Sequence, residues 1–262
     1  MRFFSALLAS ALALFALLSV ANAQEEVKPA IRIGLSDDVV NISSNFDGTD
    51  LVIFGSIENA DKAILQAGRY DVVVILEGPK EEVTVRRREK TFGIWINGSS
   101  LRFGDVPSSY SVATTRPLKE IADTSDVKIL RIGLNNLNLI ADPDSRVIDE
   151  RETFRASLTR LKEKKKLYLE RIGGVRFLSD TLFKARLAVP ANVPIGRHTA
   201  RAFLFQDGKF LNSEFQQLQV RKVGFEQYTY QMAHQNGLLF GIIAVLVAIA
   251  TGWIASVVFS KD

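Results

Sequence analysis

Two hydrophobic patterns divide this chain. Leu238–Phe259, LLFGIIAVLVAIATGWIASVVF, carries no charged residue. At a helical rise of about 1.5 Å it reaches roughly 33 Å, enough to cross a bilayer's hydrocarbon core with some tilt. Elsewhere strand-like patterns dominate. Ile31–Leu35 and Val39–Ile42 are short apolar pieces, Asp47-Gly48-Thr49 turns into Leu51–Ile57, and Tyr70–Leu76 is a second strong run. Leu51, Ile53, Gly55 and Ile57 share one face against Val52 and Phe54, and Tyr70, Val72, Val74 and Leu76 oppose Val73 and Ile75. Apolar residues on both faces predict central strands covered on both sides.

Val83–Asn97 differs in character. Val83-Thr84-Val85 and Phe92–Ile96 are β-like around Arg86-Arg87-Arg88-Glu89-Lys90, which predicts a hairpin or a bent edge strand with a charged centre. The period then changes. Asp142 as N-cap, Pro143, and Val147, Phe154, Leu158, Leu161 and Tyr168 at helical spacing predict one long amphipathic helix over Pro143–Ile172, stopped by Gly173-Gly174. Its stripe is expected to cover a sheet face, with Lys162, Lys164, Lys165 and Lys166 on a solvated side. Strands return over Thr181–Val189, Arg197–Phe205 and Phe210–Arg221, with Asp207-Gly208 as a tight-hairpin signal and a bulge expected near Gln216-Gln217. The whole reads as mainly β: an immunoglobulin-like β-sandwich with a charged and helical insertion at about 117–174, plus a C-terminal transmembrane helix. Two successive β domains separated by the helix are the runner-up.

At the other end, Met1–Ala23 reads as a secretory signal, with Arg2, the apolar run Phe3–Val20 and the A-x-A site Ala21-Asn22-Ala23; an uncleaved anchor is the competing reading. Cleavage leaves 24–221 as an exported, periplasmic domain, 222–237 as a juxtamembrane segment with Phe225, Tyr228 and Tyr230, 238–259 as the span and 260–262 as a cytoplasmic tail. There is no cysteine. The fold must therefore hold by packing without disulfides, and thiolate metal sites and cysteine nucleophiles are excluded. The net charge of +4 is interleaved rather than concentrated, unlike a nucleic-acid-binding surface.

Ala244, Ala248, Gly252 and Ser256 fall at four-residue steps in the span, a spacing that lets a second helix approach closely and makes them a candidate packing face. Arg86, Arg87, Arg88 and Lys90 beside Trp95 form a candidate patch for an anion, an acidic partner or lipid headgroups, against the plainer reading of a solubilising edge strand. His198 follows Pro194-Ile195-Gly196-Arg197, where a structural rim position is expected, and His234 lies in the polar approach to the span. Two distant histidines make no metal site, no cofactor is implied, and no G-x-S-x-G, H-E-x-x-H, P-loop or G-x-G-x-x-G occurs. These residues point away from an enzyme.

LVIFGSI (51–57), YDVVVILEGP (70–79), VRRREKTFGIWIN (85–97), PSSYSVATTRPLKEIA (107–122) and PANVPIGRH (190–198), with the terminal helix, resemble a transmembrane protein family described from Alphaproteobacteria. The resemblance covers nearly all of 24–262. It implies a signal-bearing, single-span inner-membrane protein with a periplasmic domain, encoded near sulfite-exporter-type permeases, and it carries over no catalytic residue. The expected function is a membrane-anchored accessory or interaction protein that meets another membrane protein through its helix, with such a permease as the implied partner. The alternative is a periplasmic anion-binding or sensing module for transport, with an enzyme of unknown type a distant third.

Overall fold

The computed structural model describes residues 28–43, 46–224 and 233–259. The expected signal segment 1–23, the juxtamembrane aromatics Phe225, Tyr228 and Tyr230, and the tail 260–262 lie outside the described residues.

Among the described residues, thirteen strands build the body: β1 (Ala30–Leu35), β2 (Val39–Ile42), β3 (Gly48–Glu58), β4 (Tyr70–Glu77), β5 (Lys80–Thr91), β6 (Ile94–Pro107), β7 (Tyr110–Thr114), β8 (Ile140–Ala141), β9 (Tyr168–Ile172), β10 (Val175–Phe177), β11 (Leu182–Pro190), β12 (Gly196–Gln206) and β13 (Lys209–Lys222). They form a four-stranded sheet in the order β1-β3-β11-β10, a six-stranded sheet in the order β2-β13-β12-β4-β7-β9, and a small sheet β5-β6-β8. Early and late strands share both large sheets: β3 pairs antiparallel with β11, and β4 with β12. β2 leaves its neighbour β1 to run parallel with β13 in the other sheet.

The two large sheets face each other across one core, in which Ile53, Phe183 and Leu187 meet Val72, Val74 and Leu204. The expected double burial holds for β4. Its other face, Val73 and Ile75, packs with Phe203 and Phe205 under Ile121, Val127, Ile132 and Leu134 from the excursion after β7. It does not hold for β3. Phe54 on its outer face is 42% exposed, because among the described residues no layer covers that side of the four-stranded sheet there, and the Lys184 ammonium lies 6.0 Å from its ring centroid instead.

The long helix expected over 143–172 is broken into shorter pieces. Asp142 does not cap it: its carboxylate accepts from the Asp144 N–H and pairs with Arg102, so the chain turns. The helix itself runs Arg151–Lys164. Lys166 then takes a positive φ of 58°, and Tyr168–Ile172 pairs in parallel with β7 as strand β9. Tyr168 has helical spacing to Leu161, yet its ring packs edge-on to Tyr110 and its hydroxyl donates to the Pro107 carbonyl at 2.8 Å. The stripe does cover a sheet face, since Phe154 and Leu158 pack on Val85, Leu101, Phe103 and Val106 of the β5–β6 hairpin. Lys162 departs from the expected solvated side. It is buried, bonded to the Glu81 carboxylate and donating to the Ser108 carbonyl at 3.1 Å.

Asp207 and Gly208, both at positive φ (50° and 86°), make the tight turn between β12 and β13 that their types predict. The bulge is displaced from its expected place. Gln216 and Gln217 pair regularly with Ala200 and Thr199, and the register shifts between Leu204 and Phe205 instead. Phe215 simply points outward, and the shift lets Phe210 join Phe203 and Phe205 on the far face.

Candidate functional site

The β5–β6 hairpin positions the basic patch. Its turn is Phe92-Gly93, both at positive φ (51° and 83°), so the charged run lies within β5 rather than between two strands. Alternation then divides the run. Arg87 belongs to the side of Val83 and Val85, which faces the 151–164 helix. There its guanidinium pairs with Glu150 and stands 5.2 Å over the Phe154 ring. It is a clamp on the small core rather than a free cation. Arg86, Arg88 and Lys90 share the opposite face and are exposed, and Trp95 lies directly across from Lys90.

Sequence reading left out the tip as a unit. Phe92 is 100% exposed, Ile94 68%, Trp95 65% and Ile96 46%, a contiguous apolar end on a projecting hairpin. Such residues at the end of two strands belong to none of the three buried clusters, while Phe103 and Leu101 of the second strand are buried. An aromatic and aliphatic tip flanked by cations has the composition of a contact surface.

The second predicted feature is the helix Gly237–Phe259. Its window Gly237–Ser256 has a mean hydropathy of 2.5 and none of it is buried. Among the described residues it is the one helix long and apolar enough to cross a membrane. Ala244, Ala248, Gly252 and Ser256 lie on it and are exposed, and a Cβ added at Gly252 would meet nothing within 4 Å. Thr251 donates its hydroxyl to the Val247 carbonyl, so the one hydroxyl near the middle of that ridge is satisfied within the helix.

His198 lies inside the body and not on its rim: it is 0% exposed. Its Nδ1 is 3.3 Å from the Gly196 carbonyl, which fixes that nitrogen as the donor and leaves Nε2 to accept from the Ser109 hydroxyl at 3.2 Å. Burial lowers its pKa from the ordinary 6.5, with the bond to Gly196 opposing the shift. A histidine held neutral in the fold but protonated when unfolded subtracts stability as pH falls through 6.5. The melting temperature is therefore expected to drop between neutral pH and about pH 5, and His198→Gln to flatten that slope, as thermal unfolding across the range would read.

A cavity of about 330 Å³ beside this pair is lined by Glu77, Lys80, Asp105, Arg131, Arg197 and Arg201, a mixture of signs. A second, of about 290 Å³, lies where the two large sheets end, between β9 and the edge pair β10–β11. Its charged residues, Arg171, Arg176, Lys184 and Arg186, are all basic. No sequence pattern marked it, because 171, 176 and 184 become neighbours only through strand pairing.

A family model described as "Putative transmembrane protein" matches residues 30–261. No curated protein matches the chain. Among solved structures, a chain titled BspA_C_mut is similar at 7% identity with a TM-score of 0.26, covering 74% of this chain and 52% of that one, so the match spans about half of that chain's length.

Proposed function

The chain belongs to the transmembrane protein family whose model it matches from residue 30 to 261, and from that premise we propose a membrane-tethered accessory protein that works by association. In this reading the β body is periplasmic, the terminal helix holds it to the inner membrane, and the body engages another protein of a membrane assembly. A sulfite-exporter-type permease is the partner that the resemblance suggests. The strand order, with the first strand divided between the sheets and β12 central, supports an interrupted immunoglobulin-like sandwich as the scaffold.

The hairpin tip is the observation that carries this reading. Phe92, Ile94 and Trp95 are exposed at the end of a hairpin whose base is clamped by its own core and by the Arg87–Glu150 pair. A rigid stalk presenting aromatics with Arg86, Arg88 and Lys90 behind them matches the residue types that dominate protein interfaces. The ridge Ala244, Ala248, Gly252, Ser256 offers the helix a close approach to a neighbouring span.

Exchanging Phe92 and Trp95 together for serine is expected to remove about 2 kcal/mol or more of association free energy, at least tenfold in affinity, with the body's melting temperature unchanged. Quantitative co-purification from native membranes measures it. Equal recovery of partner by wild type and double variant would sink the reading.

A further inference from the structure

The all-basic cleft at the open ends of the two large sheets goes beyond the docking reading and stands without it. β9 is one edge strand of the six-stranded sheet and β10 one of the four-stranded sheet. Gly173-Gly174 carries the chain from one to the other. Register places Arg176 directly opposite Lys184 on β11, and Arg186 two residues further on the same face, its N–H donating to the Gly174 carbonyl at 3.0 Å. Arg171 comes in from the other sheet. These four basic residues, with Gly173, Gly174 and Leu178, enclose about 290 Å³.

Like charges directly across a strand pair repel, by the same order as opposite charges there attract. A fold normally answers such a pair with a carboxylate. Here Asp50 pairs with Arg171 at 3.3 Å, and among the described residues Arg176, Lys184 and Arg186 have no carboxylate partner. Lys184 reaches only the face of Phe54. The floor cannot be filled from within either, since a Cβ at Gly174 would stand 2.9 Å from the Ala113 Cβ and 3.0 Å from the Arg171 carbonyl. Glycine there leaves the guanidinium groups a concave surface with side-chain-free backbone behind them. Several other exposed arginines of the chain do have carboxylate partners: Arg32 with Glu58 and Glu214, Arg69 with Asp207, Arg116 with Asp71.

We propose that the cleft formed by Arg171, Arg176, Lys184 and Arg186 is a binding site for a tetrahedral oxyanion, a phosphate or sulfate group that supplies the missing counter-charge. Guanidinium forks give such an ion two parallel N–H···O bonds each, and an ammonium adds a point charge. The volume exceeds that of one bare ion, so the group can arrive free and hydrated or as the phosphoryl head of a lipid.

Thermal unfolding of the full chain in phosphatidylcholine nanodiscs tests this, with sodium sulfate or phosphate against chloride at matched ionic strength. Wild type is expected to show a saturable rise in melting temperature with either oxyanion and none with chloride. Arg176→Gln with Arg186→Gln should melt higher than wild type without the ion, because repulsion is relieved, and should lose the saturable rise. The variant also subtracts any general salting effect of sulfate. Arg176→Lys keeps the charge without the fork and should bind about tenfold more weakly; calorimetric titration of it and wild type serves if the double variant does not fold. Nanodiscs containing phosphatidylglycerol, without free oxyanion, separate the sources: a melting rise there that the double variant lacks assigns the site to a lipid head, and a rise with free ions alone assigns it to a soluble oxyanion. The same response to chloride as to sulfate, or an undiminished oxyanion response in the variants, overturns the proposal.

Discussion

Gly55→Val is expected to destabilise the body by about 3 kcal/mol or more, enough to leave much of the protein unfolded in cells. Gly55 sits in the middle of β3, where a strand normally prefers a β-branched residue, and its φ is not of the kind that demands glycine. The reason for it is space. Its cross-strand neighbour on β11 is Phe183, a fully buried ring that lies over the glycine, and a Cβ there would come within 2.3 Å of Phe183 Cζ. On the other side the Arg32 carbonyl of β1 would be 2.5 Å away, so the ring cannot move aside and relieve the whole clash. Phe183→Ala alone should also cost about 3–5 kcal/mol, as an emptied core position. Because both changes act on one volume, the double variant should be less unstable than the sum of the singles, with a coupling of about 1 kcal/mol or more. Denaturant unfolding of the four proteins measures the cycle, and strict additivity would show that Phe183 is not what Gly55 accommodates.

Phe154→Ala is expected to cost about 3 kcal/mol, and to do so locally. Phe154 is 3% exposed and is shared by Val85, Leu101, Phe103 and Leu158, a cluster separate from the core between the large sheets. Removing the ring also takes away the surface on which the Arg87 guanidinium rests. The hairpin and the 151–164 helix should then open without the sheets, since cooperative units open at different free energies when few contacts join them. Amide exchange over residues 83–103 is expected to accelerate by a hundredfold or so, while that over β3 and β4 stays at the wild-type rate. A uniform acceleration would mean that the cores form one unit. The result bears on function, because the same clamp holds the exposed tip in place.

Period-two alternation made β3, β4, β11 and β12 legible, and the D-G pair marked its turn because those residue types accept positive φ. Other elements were hidden for identifiable reasons. Tyr168 falls at helical spacing and at a strand position alike, and only the parallel pairing with β7 decides between them. Phe92-Gly93 is a poor turn signal, since a phenylalanine at positive φ is unusual, so the pattern alone does not decide between a hairpin and a bent edge strand with a charged centre. The role of Arg87 depends on Glu150, and the hydrogen bond at His198 Nε2 on Ser109, partners 63 and 89 residues away. Sequence spacing carries no information at that range. The cationic cleft is the extreme case, because its residues look like ordinary outward charges until two sheet edges bring them together.

The account rests on a body outside the inner membrane whose hairpin tip touches another protein. A photo-crosslinking residue placed at Phe92 in the full chain, activated in intact spheroplasts, tests this most directly. It should yield one discrete adduct with a membrane protein, and protease added outside the spheroplasts should digest that adduct's β body. An adduct formed only with lipid, or a body that added protease cannot reach, would contradict it.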